Sequence, residues 1–206
     1  TTFHMRPRGL HLFEKHFLTE EGENMSASLF DFGVPFFNNC KKSIENGTGL
    51  YLYLPKMENA DEASFWNEVF VYAEDFLNVP RGTICVTVLV EHIHLAFEME
   101  KVILNLKDYI VGMNCGRWDY IFSYIKKFTH QTLPNRSLVN MSCHFMESYV
   151  KLLVNNCHKH GVFAMGGMSA LIPSRNPEEN VQNFEKIYKD KQKEALQGLD
   201  GTWIAH

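Results

Sequence analysis

The chain has 206 residues, 45% of them hydrophobic and 21% charged, with a formal net charge of −4. Those values exclude a disordered, collagenous or coiled-coil chain, and without a Lys/Arg-rich run there is no electrostatic footprint for nucleic acid. The five cysteines are scattered with no CxxC, which fits reduced thiols better than a disulfide framework. No secretory signal is visible and no apolar run approaches ~18 residues, so the expected protein is neither secreted nor membrane-bound.

The elements alternate along the chain. A first apolar stretch begins at Phe3 and ends near Arg6. Leu50 to Pro55 reads as a short strand after a glycine turn. From Phe65 to Leu77 the apolar residues recur at helical spacing. Thr83 to Val90 is a continuous β-branched run, as expected of a strand buried on both faces. A helix from Phe97 to Leu106 and a strand from Tyr109 to Met113 follow. Leu138 to Cys143 reads as a weak strand and Phe145 to Cys157 as a helix. Val162 to Met165 is a strand ending in Gly166-Gly167, Val181 to Ala195 a helix, and Gly201 to Ala205 a last strand. Such alternation implies parallel strands with helical crossovers, in an open doubly wound sheet or a closed (β/α) barrel. No GxGxxG follows a strand, which counts against a dinucleotide-binding open sheet.

Barrel enzymes place their chemistry at the C-terminal ends of strands. Glu91 directly follows the Thr87–Val90 run, and Asp119 follows a segment that begins at Gly112. Two strand-end carboxylates can share a hard cation such as Mg²⁺, which completes its octahedron with water and substrate oxygens. Arg6 stays charged and is suited to an anion or a developing oxyanion. The plainer readings are the default at this point. Glu91 and Asp119 would each cap the helix that follows, Arg6 would pair at the surface, and Gly166-Gly167 would be a turn. His158 and His160 read as last-turn cations favoured by the helix dipole. Lys186, Lys189, Lys191 and Lys193, interleaved with Glu185, Asp190 and Glu194, read as a solvated helix face.

Longer motifs then become specific. They are Arg6-Pro7-Arg8-Gly9-Leu10-His11-Leu12, Ser28-Leu29-Phe30-Asp31-Phe32 and Tyr53-Leu54-Pro55-Lys56. Further on come the strand ending at Glu91, Gly112-Met113-Asn114-Cys115-Gly116-Arg117-Trp118-Asp119-Tyr120-Ile121-Phe122, and Gly166-Gly167-Met168 with Ile172-Pro173-Ser174. The last is Asp200-Gly201-Thr202-Trp203-Ile204-Ala205-His206. In order and spacing this set resembles the malate synthases of the shorter, A/glyoxysomal type, across essentially the whole chain.

The resemblance implies an α/β fold, a (β/α)8 TIM barrel, with residues 1–206 as its catalytic region and the family's C-terminal domain absent. It implies a Mg²⁺-dependent condensation of glyoxylate with acetyl-CoA and water to malate and CoA, in the glyoxylate cycle. Glu91 and Asp119 would hold Mg²⁺. Arg6, Glu91, Gly116, Trp118 and Asp119 would hold glyoxylate, and Arg6 would stabilise the enolate oxygen. Gly167, Pro173 and Ser174 would line the acetyl-CoA channel. The compartment implied is a peroxisome or glyoxysome, or the cytoplasm.

Some features depart from the pattern. The family's general base is an Asp beyond the segment matched by residues 200–206. About seven strand candidates stand where a closed barrel needs eight, so the barrel is expected to be incomplete at its N-terminus, with open edges. Tyr109 stands where His is usual, Met113 for Leu, and His92 for Thr. A catalytically inactive relative that keeps a Mg²⁺ and small-oxyacid site is the alternative expectation.

Overall fold

The computed structural model describes residues 2–135, 138–169 and 171–204. The chain forms two compact units, Thr1–Val111 and Gly112–His206.

In the first unit, β1 (Phe13–Leu18) and β2 (Asn24–Ser26) pair antiparallel and lead into α1 (Ala27–Glu45). Ser26 caps α1 by accepting from the Leu29 N–H at 3.5 Å. The helix continues through Pro35. Phe32, Phe36 and Cys40 recur every four residues on its buried face. β3 (Leu50–Leu54), α2 (Ala60–Leu77) and β4 (Ile84–Val90) form a strand–helix–strand unit. β3 and β4 run parallel in register from Leu50↔Ile84 to Leu54↔Val88. Asn59 caps α2 at its start, accepting from the Glu62 N–H at 3.0 Å. Asn78 ends it with a left-handed φ of 54°, which an asparagine tolerates well. An aromatic cluster joins α1 to α2: Phe32 meets Trp66 at 5.9 Å and Phe70 at 5.3 Å, and Phe70 meets Tyr109 at 5.2 Å. Two short helices follow, α3 (Ile93–Phe97) and α4 (Met99–Asn105).

β5 (Ile110–Cys115) begins in the first unit and runs into the second, which adds α5 (Trp118–Lys127), α6 (His144–Lys159) and β6 (Phe163–Gly166). α7 (Pro177–Leu196) and β7 (Gly201–Thr202) complete it. β5 pairs parallel with β6, Gly112↔Phe163 to Asn114↔Met165, and β6 with β7, Met165↔Gly201 and Gly166↔Thr202. The core holds Met113, Cys115, Met146, Tyr149, Val150, Leu153, Cys157 and Ala164.

Three expectations are corrected. Leu138 to Cys143 is not a strand. Leu138 and Cys143 donate back to the Asn135 and Asn140 carbonyls, and the Asn140 side chain accepts from the Ser142 N–H at 2.8 Å, so the segment is a run of turns. The stretch from Phe3 pairs with β3 only through Met5, opposite Leu52. The helix expected over 97–106 divides at Glu98 into α3 and α4. The last expected strand is described at Gly201–Thr202, and its residue Ala205 lies outside the described residues, as does His206 of the same motif.

Candidate active site

Glu91 immediately follows β4 and is buried, 4% exposed. Lys56 reaches both of its oxygens. The Lys56 N–H donates to Oε1 at 2.6 Å, and Lys56 Nζ stands 3.2 Å from Oε2. Lys56 follows Pro55 with φ 63°, so a left-handed turn just past β3 aims its N–H at the neighbouring strand's carboxylate. Helix capping does not account for Glu91. The cap of α3 is His92, whose Nδ1 accepts from the His94 N–H at 3.3 Å and whose Nε2 lies 3.7 Å from Glu58 Oε2.

Arg6 is exposed, with its guanidinium 5.8 Å from the centroid of the Tyr53 ring. Its main chain is fixed on both sides. Before it, Met5 donates to the Tyr51 carbonyl at 2.8 Å and accepts from the Tyr53 N–H at 2.9 Å. After it, Pro7 is buried and Arg8 is held by Asp31 and Glu14.

In the second unit, Asp119 lies within the first turn of α5 rather than at its cap, which is Arg117. Arg117 stacks over Trp118, 4.5 Å from guanidinium to ring centroid. Trp118 and Asp119 thus stand where main-chain N–H groups point out of a helix N-terminus. Gly116 is engaged differently: its main chain hydrogen-bonds the Tyr149 hydroxyl, which also bonds the Cys115 thiol. Burial pushes Tyr149 well above its ordinary value and the Cys115 thiol up to about 12, so both stay protonated. Tyr149 also stacks on Tyr120 at 4.0 Å.

The glycine pair at the end of β6 leaves little room for a side chain. A Cβ on Gly166 would lie 2.1 Å from Glu194 Oε2, and one on Gly167 would lie 3.0 Å from the Cys115 carbonyl. Lys191 Nζ and the Thr202 hydroxyl both donate to the Gly167 carbonyl, and Lys191 pairs with Glu194 at 2.8 Å. Lys193 bonds Ser142 at 2.7 Å and Glu147 at 2.9 Å. Of the lysines read as a solvated face, Lys191 and Lys193 therefore turn onto protein partners, whereas Lys189 makes an exposed pair with Glu185. Pro173 is exposed, and Ser174 is locked to Asn180 by reciprocal bonds of 2.6 and 2.5 Å. His158 pairs with Asp200 at 3.0 Å, and burial pushes the Cys157 thiol up to about 12, which leaves no nucleophile there.

Two partners went unread in the sequence. Lys56 is 35 residues from Glu91, and Tyr149 is 33 residues beyond Gly116. The positive φ after Pro55 has no signature in a lysine.

Parallel strands joined by helices, with charged residues just past the strand ends, define the barrel class of α/β enzyme folds. Residues 2–206 match the family described as malate synthase, TIM barrel domain, and the chain belongs to that family. It is 52% identical to the malate synthase A of Escherichia coli K12 over 204 residues, 98% of this chain and 38% of that protein. It is 48% identical to the glyoxysomal malate synthase of Candida tropicalis over 209 residues, 100% of this chain and 38% of that protein. The chain thus spans 38% of the length of each of these relatives. Among solved structures, the Haloferax volcanii malate synthase at 3 mM glyoxylate matches with a TM-score of 0.65 at 11% identity, covering 98% of this chain and 51% of that one. That likeness supports the fold alone.

Among the described residues no helix is long and apolar enough to cross a membrane. Nor do three or more His, Cys, Asp or Glu side chains group as a metal cage. A hard divalent cation draws only one or two carboxylates from a protein and takes its other oxygens from water and substrate, and Glu91 offers such a carboxylate at a strand end.

Proposed function

We propose that this chain is the barrel portion of an enzyme that condenses glyoxylate with acetyl-CoA and water to give malate and CoA, as in the glyoxylate cycle. The observation that carries the reading is Glu91, a buried carboxylate at the C-terminal end of β4, held by Lys56 from the end of the neighbouring strand. The malate synthase relatives support it.

Glu91 and Asp119 are the proposed Mg²⁺ ligands. A bound Mg²⁺ would supply Lewis-acid polarisation of the glyoxylate aldehyde. The N–H groups of Trp118 and Asp119, with the Gly116 segment set beneath them by Tyr149, hold the glyoxylate carboxylate. Arg6 places a permanent positive charge against the enolate oxygen of acetyl-CoA. Gly167, Pro173 and Ser174 line the thioester channel, whose course is set by the Lys191 and Thr202 bonds to the Gly167 carbonyl and by the Ser174–Asn180 pair. Loss of a methyl proton from acetyl-CoA gives the enolate, whose carbon bonds the aldehyde carbon, and water then cleaves the thioester. By the family resemblance, an Asp takes that proton. The compartment proposed is the glyoxysome or peroxisome, or the cytoplasm.

The test is glyoxylate-dependent release of CoA from acetyl-CoA by the intact protein in Mg²⁺. Turnover that falls at least about a hundredfold in Arg6→Ala is expected. Turnover unchanged in that variant removes the role given to Arg6. Glyoxylate binding without any turnover favours the inactive relative.

A further inference from the structure

We infer that Arg8 and Asp31, with Glu14 behind them, form a clamp that positions Arg6, a role that rests on the proposed chemistry of Arg6. The clamp is dense for a surface pair. The Arg8 main-chain N–H and Nε each donate to Asp31 Oδ2 at 2.8 Å. Nη2 donates to Asp31 Oδ1 at 2.7 Å and to Glu14 Oε2 at 2.6 Å. Glu14 Oε1 accepts from the His16 N–H at 2.8 Å. Glu14 is the buried residue of β1, and Asp31 stands in the first turns of α1.

One Asp31 carboxylate therefore holds Arg8 by both main chain and side chain. A side-chain pair alone would leave the backbone able to swing, whereas the N–H bond fixes the peptide itself. Pro7 adds a locked φ and is buried. On the other side, Met5 is paired into β3 through both its N–H and its carbonyl. Arg6 sits between these two anchors with its guanidinium exposed near Tyr53. The direction in which Arg6 leaves the backbone follows from Met5 before it and Asp31 after it.

The network is part-buried, with side-chain exposures of 39% for Arg8, 25% for Asp31 and 7% for Glu14, and its bidentate geometry fixes direction as well as adding stability. The three charges keep each other ionised. The Arg8 bonds hold the Asp31 carboxyl below its ordinary value, and the His16 N–H with Arg8 does the same for Glu14. Small displacements of a group that stabilises developing charge are expensive in rate.

The experiment is a double-variant cycle on the intact protein, reading kcat and KM for both substrates in wild type, Asp31→Asn, Arg6→Lys and the double variant. Asp31→Asn should lower kcat about tenfold with both KM values within about twofold, and should lower it less than about twofold further when Arg6 is already Lys. An equal loss in both backgrounds, as a purely structural role gives, overturns the inference, as does an unchanged kcat in Asp31→Asn. If Asp31→Asn fails to fold, Arg8→Lys is read in its place, with the same outcomes. Wild-type turnover with Arg6→Lys fully active overturns the role of Arg6 and the clamp with it. Turnover absent in wild type overturns the proposed function and therefore both.

Discussion

The two ends of β4 each bury a glutamate, and the two are held in different ways. Beneath the strand, Glu74 of α2 is 0% exposed and is engaged at both oxygens, by two main-chain N–H groups, a tyrosine hydroxyl and an arginine whose side chain is 38% exposed. Oε2 accepts from the Tyr109 hydroxyl at 3.1 Å, Arg81 Nη1 at 3.0 Å and the Gly82 N–H at 3.3 Å, while Oε1 accepts from the Ile84 N–H at 3.1 Å. Above it, Glu91 is engaged at Oε2 by a lysine ammonium on a flexible stem whose side chain is 37% exposed. The first carboxylate is built into the fold by the Arg81–Ile84 stretch and by Tyr109. The second is held at Oε1 by the Lys56 main-chain N–H and at Oε2 by the Lys56 ammonium. Glu74 thereby ties segments of the fold together, whereas Glu91 stands at the C-terminal end of its strand, where barrel enzymes place their chemistry.

Changing each glutamate to glutamine probes that difference most strongly. Glu74→Gln places an amide among donors and should cost about 3 kcal/mol in denaturant unfolding. Glu91→Gln should stay within about 1 kcal/mol of wild type or gain stability, because a buried charge disappears. Equal losses would erase the distinction. In the second unit, Gly166→Ala forces the Glu194 carboxylate away from Lys191 and Thr202, and should cost about 1–2 kcal/mol. A neutral result would mean that this cluster yields freely.

The smallest effect concerns pH. Burial pushes Tyr109 up to about 12, with Glu74 adding to it. The folded state therefore binds that proton more tightly than the unfolded chain does. Its contribution is whole below the ordinary tyrosine value and is lost as pH rises through about 12. The buried Cys115 and Cys157 thiols act in the same direction from a lower starting value. The denaturant midpoint should be flat through neutrality and fall from about pH 9 upward. Tyr109→Phe should flatten part of that fall.

Much of the fold was legible. β4 declared itself by its β-branched run and α2 by its apolar spacing, because burial on two faces or on one stripe leaves a period in the sequence. α1 went unread because Gly33 and Pro35 interrupt a helix that survives by packing Phe32 against Trp66 and Phe70 of α2. Leu138 to Cys143 misled because its alternation reads as a strand, whereas Asn140 commits the chain to turns. Glu91, Asp119 and Arg6 were visible as strand-end charges. The bond of Lys56 to Glu91, the place of Tyr149 beside Cys115 and Gly116, and the Arg8–Asp31 pair were not, since contacts between distant segments leave no local pattern. The Tyr109 departure was visible as a replaced residue, but its bond to Glu74 shows only in three dimensions.

The central claim is that Glu91 and Asp119 hold Mg²⁺ for glyoxylate. Calorimetric titration of glyoxylate into the intact protein, with and without Mg²⁺, tests it directly. The account predicts Mg²⁺-dependent binding that weakens at least about tenfold in Glu91→Gln and in Asp119→Asn, each melting like wild type. Glyoxylate binding of equal strength in wild type and both variants would contradict it.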